Sequence, residues 1–180
     1  MSWSRDKGTW AETAVAEYAQ HNGFPFADRL TKKGNKDRGD VGWCPGVISE
    51  VKYDKSMDIP GWLRETETEQ VNAGAKVAFL VVKPPGIGRT RVGWWWSVMR
   101  AGPLDELAAM AGYGPGKAVV IGGSSYKKEL PPLLKKPDTE LVVISPRGVE
   151  NVRDWYVVTR LERQVTLLHK AGFGSPEVLS

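Results

Sequence analysis

The chain has 180 residues, of which 41% are hydrophobic and 26% charged, with 25 Lys+Arg against 21 Asp+Glu for a formal net charge of +4. This excludes collagen-like, fibrous and wholly disordered chains, and the length suffices for one domain with its own core. No apolar run is long enough to cross a bilayer, the lead Met1-Ser2-Trp3-Ser4-Arg5-Asp6-Lys7 lacks the apolar stretch of a signal peptide, and the single Cys44 cannot form an internal disulfide, so a cytoplasmic protein without a membrane partner is expected. Basicity and eight tryptophans suit a nucleic-acid partner and equally suit an ordinary basic protein.

Thr9 to Gln20 reads as a helix from its apolar spacing, with Asn22-Gly23 as the stop. Residues 28 to 38 read as a polar loop in which Lys32, Lys33, Lys36 and Arg38 outnumber Asp37. Gly39 to Tyr53 reads as a β-hairpin turning at Cys44-Pro45-Gly46. From Pro60 to Ala73, Trp62, Thr66, Glu69, Gln70 and Ala73 recur at helical spacing, and Val77 to Val82 is an apolar run typical of a strand buried on both faces. The order is α, β, β, α, β.

In the second half, residues 95–114 match residues 155–174 at a constant offset of 60, pairing Trp95/Trp155, Val98/Val158, Arg100/Arg160, Leu107/Leu167, Ala111/Ala171 and Gly112/Gly172. Each copy reads as a strand, a helix and a glycine-rich stop, preceded by an apolar strand ending in proline. A duplicated unit and a chance likeness of two similar motifs both account for this. Between them, Gly122 to Pro137 reads as an exposed connection, with a contact to a phosphate backbone as the alternative. The chain thus divides into 1–114, a core with the first strand-helix unit, the connection 115–137, and 138–180, the second strand-helix unit.

Asp40, Glu50 and Lys52 carry the chemistry. With the turn at 44–46, facing positions sum to 90, which sets Asp40 opposite Glu50 at a Cβ separation of roughly 4.5–5.5 Å. Lys52, two positions on, projects from the same face as Glu50. Two carboxylates sharing one patch suit a hard divalent cation such as Mg²⁺, with Mn²⁺ as a substitute, held together with a substrate phosphate. Lys52 would position water or offset phosphate charge. A solvated hairpin with a same-face Glu-Lys pair is the bland alternative.

Arg38-Gly39-Asp40, Glu50-Val51-Lys52 and the α-β-β-α-β order resemble the PD-(D/E)XK nuclease superfamily. Lys7-Gly8-Thr9 with Glu12, Asn22-Gly23-Phe24 and Glu69-Gln70-Val71 are similar to the archaeal-type and phage Holliday junction resolvases. The resemblance covers about residues 5 to 83, and Gly39 stands where the name-giving motif has proline. It implies an α/β (α+β) core of mixed sheet flanked by helices, here with a C-terminal strand-helix extension. It also implies a Mg²⁺-dependent homodimer that nicks opposed strands of four-way DNA in a bacterial or phage-infected cell. Asp40, Glu50, Val51 and Glu12 would hold metal, Asp40, Glu50, Lys52 and Glu12 would form the catalytic set, and Gln70 would orient phosphate or face solvent. A restriction or mismatch-nicking enzyme of the same fold and a non-catalytic DNA-binding protein are the alternatives.

Glu12 has a second reading, since Thr9-Trp10-Ala11-Glu12 is also a capping box. The loop cations Lys32, Lys33, Lys36 and Arg38 read as phosphate contacts or as a solvated loop. Trp43 and Trp62 would pack in the core or stack on opened bases. His21 and His169 lack zinc-like spacing, and Cys44 has no partner for nucleophilic chemistry.

Overall fold

The computed structural model describes residues 3–31, 37–113 and 117–175. The basic positions Lys32, Lys33 and Lys36 lie outside the described residues. Helix α1 (Trp3–His21) leads into a two-residue strand β1 (Asp28–Arg29), the hairpin β2 (Val41–Cys44) and β3 (Val47–Lys52), helix α2 (Ile59–Ala73) and strand β4 (Val77–Val82). Then come β5 (Trp96–Arg100), α3 (Ala101–Met110), β6 (Ala118–Gly122), α4 (Tyr126–Leu134), β7 (Leu141–Ser145), β8 (Tyr156–Arg160) and α5 (Leu161–Lys170). The eight strands of the described residues form one mixed sheet in the order β1-β2-β3-β4-β5-β8-β7-β6. Helices α1, α3 and α5 cover one face through a cluster that includes Ala11, Val15, Trp43, Phe79, Leu107 and Leu168, and α2 and α4 cover the other through Ile59, Leu63, Leu80, Val98, Leu130 and Val158. No described helix is long and apolar enough to cross a membrane.

Helix α1 starts six residues before the expected Thr9, which removes the capping-box reading of Glu12. Thr9 lies inside the helix, and its carbonyl accepts from the Thr13 hydroxyl at 2.8 Å. A glycine inside a helix costs only about 1 kcal/mol, so Gly8 does not stop it. The helix closes at Gly23, whose φ of 84° allows a close approach: a Cβ there would meet the His169 ring at 2.5 Å and the Ser175 carbonyl at 2.9 Å. The hairpin has the register expected of it, Val41 facing Ser49 and Gly42 facing Ile48, with a bulge at Cys44 before the turn. A one-residue slip would have turned every side chain of β3 over. Asp58 caps α2 by accepting from the Gly61 amide at 3.2 Å, and Gly74 ends it at φ 62°. The helix returns the chain to pair β4 in parallel with β3, setting Glu50 beside Leu80 and Lys52 beside Val82.

Two corrections fall on expected loops. Asp28–Arg29 adds an edge strand to β2 within the basic loop. The connection 115–137 contains β6 and α4, with Tyr126, Leu130 and Leu134 buried against the sheet. Those three recur every four residues, and their burial outweighs the helix-breaking Pro131 and Pro132 beside them.

The repeat is structural and longer than the offset of 60 delineates. Strands β5 and β8 pair antiparallel about Val98 and Val158, with Trp96 facing Arg160 and Arg100 facing Tyr156. Contacts across this pair are reciprocal: the Ala101 amide donates to the Trp155 carbonyl at 2.9 Å, and the Leu161 amide to the Trp95 carbonyl at 2.8 Å. Each helix therefore spends a first-turn N–H, for which no intrahelical partner exists, on the other unit. The reciprocity is that of a two-fold interface. Outward from it, β4 beside β5 and β7 beside β8 are mates, then β3 and β6, each joined to its inner neighbour in parallel through α2 or α4. The unit β-α-β-β-α thus occurs twice around a pseudo-two-fold axis.

Candidate active site

The register makes β3 carry alternating duties. Val47 and Val51 point into the α1-side core, while Glu50 and Lys52 face α2. Asp40, just before β2, is locked to β3 twice: its amide donates to the Ser49 carbonyl at 3.0 Å, and its Oδ2 accepts from the Val51 amide at 2.9 Å. Its carboxyl group also hydrogen-bonds that of Glu50, which in turn hydrogen-bonds Glu69 of α2. Lys52 Nζ lies 2.7 Å from Glu50 Oε1 and 2.7 Å from Glu65 Oε2. Glu65 and Glu69 are one helical turn apart, so one stripe of α2 supplies both.

Crowding of acids in a dry place dictates the protonation states. Burial, then the charge of Glu50, raises Asp40 to about 8, against the opposing bond from Val51. Burial also raises Glu50 to about 7, with Lys52 opposing and Glu69 assisting. Glu69 is raised by burial as well, and its Oε2 is buried without a hydrogen-bond partner. Burial works against the charge of Lys52, but the bond to Glu50 and then Glu65 outweighs it and pushes the ammonium pKa up. The two carboxylates thus favour the charged form of Lys52. Two of its three donors are spent on carboxylates, which leaves one for a water or a phosphate oxygen.

Glu12 reaches toward this cluster from α1: its charge adds to the upward shift of Asp40, while its Oε2 accepts from Arg29 Nε at 2.9 Å and Nη2 at 2.6 Å. Strand β1, absent from the sequence reading, thus holds the counter-ion of Glu12. Gln70 turns away, its amide donating to the carbonyls of Ala75 at 3.3 Å and Lys76 at 3.2 Å beyond the end of α2. Arg38 is exposed two residues before Asp40. Trp43 and Trp62 are buried, so neither offers a face for stacking. His169 bridges α5 to the end of α1, with Nε2 2.8 Å from the Asn22 carbonyl and its ring stacked on Phe24 at 4.7 Å.

Sequence reasoning missed Glu65 and Glu69. Glu69 stood on the inward stripe marked by Trp62 and Thr66, and an acid on a stripe facing Glu50 was the signal available. The donor set of Asp40, Glu50, Glu69 and the chain at Val51 is all oxygen, which fits a hard cation, and the unpartnered Glu69 Oε2 leaves acceptor capacity in the cluster. Among the described residues, no three His, Cys, Asp or Glu groups already stand at metal-ligand spacing; the acids bond to one another and to Lys52 instead. Comparison with family models, curated proteins and solved structures finds no match to this chain.

Proposed function

We propose that the protein is a divalent-metal-dependent DNA endonuclease of the PD-(D/E)XK kind that cuts four-way junctions. The observation that carries this reading is the cluster of half-buried Asp40 with buried Glu50 and Glu69, and the Lys52 ammonium beside it. Metal-assisted hydrolysis of a phosphodiester uses oxygen ligands for a cation and a fixed positive charge near the phosphate, and this cluster offers both. Asp40, Glu50 and the chain at Val51 would hold Mg²⁺ or Mn²⁺, with Glu12 nearby. Bound there, the cation would polarise the phosphoryl oxygen and acidify a water.

The remaining chemistry belongs to the chain. Lys52, fixed by Glu50 and Glu65, turns its third donor to the developing phosphate charge. Val51 holds Asp40 in place through its amide. Arg38 and the loop cations Lys32, Lys33 and Lys36, next in sequence to Asp40, would attract the DNA backbone. The second unit has Val119 where the first has Glu50 and Ile121 where it has Lys52, by the shared register of the two halves. One chain therefore presents one catalytic set, and paired nicks call for a homodimer on the junction.

The test is cleavage of synthetic four-way junction, mismatched duplex and linear duplex at equal concentration with Mg²⁺ or EDTA. Symmetric nicks on the junction alone are expected, with Asp40→Asn binding but not cutting. Preference for mismatched or linear duplex would move the reading to another nuclease of this fold. No cleavage of any of the three with either Mg²⁺ or Mn²⁺ would refute it.

A further inference from the structure

Lys83 is 9% exposed, and no carboxylate among the described residues forms an ion pair with it. It follows β4 directly, and its amide donates to the Lys52 carbonyl at 2.9 Å, so it stands at the carboxylate end of the sheet, with its side chain over Tyr53 on the α1 face and not on the α2 face that Glu50 and Lys52 occupy. Its Nζ donates to the Pro84 carbonyl at 3.3 Å and lies 4.3 Å from the centre of the Tyr53 ring. One long hydrogen bond and a ring face leave two of its three donors unspent, an expensive state for a nearly buried ammonium. Lys7 also lies over Tyr53, at 5.5 Å, from the α1 side.

The duplicated unit supplies an internal control. Val82 faces Trp96 and Ile144 faces Tyr156, so Val82 and Ile144 are mates, and the next pairs are Lys83/Ser145 and Pro84/Pro146. On the neighbouring strand, Lys52 beside Val82 matches Ile121 beside Ile144, which makes Gly122 the mate of Tyr53. The strand ends before a proline in both halves, yet only the half with the carboxylates has the lysine and the ring beneath it. Ser145 precedes the matching turn of the second unit, where Gly148 at φ 75° mirrors Gly86 at φ 76°, so the turn itself does not require the lysine.

We infer that Lys83, cushioned on Tyr53, is a DNA-phosphate-binding residue that receives a phosphodiester group of the substrate backbone on the α1 face, at the end of the sheet that carries the carboxylates. The inference rests on the proposed DNA-directed reading. A phosphate oxygen would take the two unspent donors and neutralise the charge, and the aromatic face keeps the ammonium aimed without competing for its hydrogens. Lys83 would position the backbone and do no bond-breaking.

The measurement is anisotropy of a labelled synthetic four-way junction with Ca²⁺ in place of Mg²⁺, over a salt series. Lys83→Ser borrows the residue that makes this turn in the second half, and a thermal melt checks its fold. Binding should weaken roughly tenfold, and the slope of log affinity against log salt should fall by about one. Lys83→Arg should stay within about threefold of the native chain. A folded Lys83→Ser with native affinity and slope overturns the inference while leaving the nuclease reading intact. So does an equal loss in Lys128→Ser, an exposed lysine of α4, because it would reduce the effect to overall charge. If Lys83→Ser does not fold, Lys83→Arg decides, a loss beyond tenfold counting against a phosphate contact. A native chain that binds no DNA at all overturns both readings.

Discussion

Asp40→Asn probes the carboxylate cluster through stability, before any DNA is added. In the folded chain Asp40 is raised to about 8 and Glu50 to about 7, whereas unfolded carboxyls titrate near about 3.9 and 4.3. Between those limits the folded state holds more protons than the unfolded one. The stability they confer is full below about pH 4 and is lost as pH rises through about 7 to 8. Each excess proton is worth about 1.4 kcal/mol per pH unit, so two set a ceiling of about 2.7. Because the two groups share a hydrogen bond they titrate as a pair, and roughly 1–2 kcal/mol per unit is expected between pH 5 and 7. Asparagine keeps an oxygen for the Val51 amide and offers Glu50 a donor in place of a charge. The variant should show about half the native slope and, at pH 8 in EDTA, be about 1–3 kcal/mol more stable than the native chain. Urea unfolding followed by tryptophan fluorescence at each pH measures both. Added Mg²⁺ should stabilise the native chain at pH 8 by about 2.7 kcal/mol at a hundredfold excess over its dissociation constant, and the variant far less. Native stability that is flat or rising from pH 5 to 7.5 in EDTA would refute the reasoning, as would a variant less stable at pH 8.

Lys52→Gln should retain the fold and lower single-turnover cleavage by at least about a hundredfold, since it removes the fixed charge beside the phosphate. Leu130→Ala should cost about 2–4 kcal/mol in urea unfolding, because Leu130 on α4 is fully buried against the sheet; a cost below about 0.5 kcal/mol would return residues 126–134 to a peripheral role. Arg160→Met should cost about 2–4 kcal/mol by calorimetry, since Arg160 is 4% exposed and donates to the carbonyls of Leu134, Lys136 and Thr139.

The first half was legible because its signals are local. Pro45-Gly46 fixes the turn, the turn fixes the register, and the register alone sets Asp40 against Glu50 and Lys52 on the α2 face. Glu69 needed one more inference, that the inward stripe of α2 crosses β3 where Glu50 emerges. Gln70, next to it, lies on a different face and caps the end of the helix. The Arg29–Glu12 pair was hidden because a two-residue strand has no periodicity to read. Helix α4 was hidden because Pro131-Pro132 and the lysines around it have the composition of a linker, while its three anchors make sense only against β7, whose position depends on long-range pairing. The offset of 60 located β5, β8, α3 and α5 but stopped at the loops. Across β4 and β7 the register makes Leu80 and Val142 mates, an offset of 62, so unequal loops break the sequence match before the structural one ends.

That second unit bears on the first. The mate of Lys52 is Ile121, 6% exposed and packed with Tyr126 and Ile144 beneath α4. The unit therefore accepts an ordinary apolar side chain at this position, and its helix docks without any carboxylate. Burying Glu50 and Glu69, with a half-buried Lys52, at the corresponding place in the first unit gains nothing for packing, and desolvation of charges typically costs more than their pairing returns. A protein that keeps such a cluster in one of two copies keeps it for something other than the fold. That asymmetry supports the proposed hydrolysis of phosphodiesters, and it extends to Lys83 and Tyr53, whose mates in the second unit are Ser145 and Gly122.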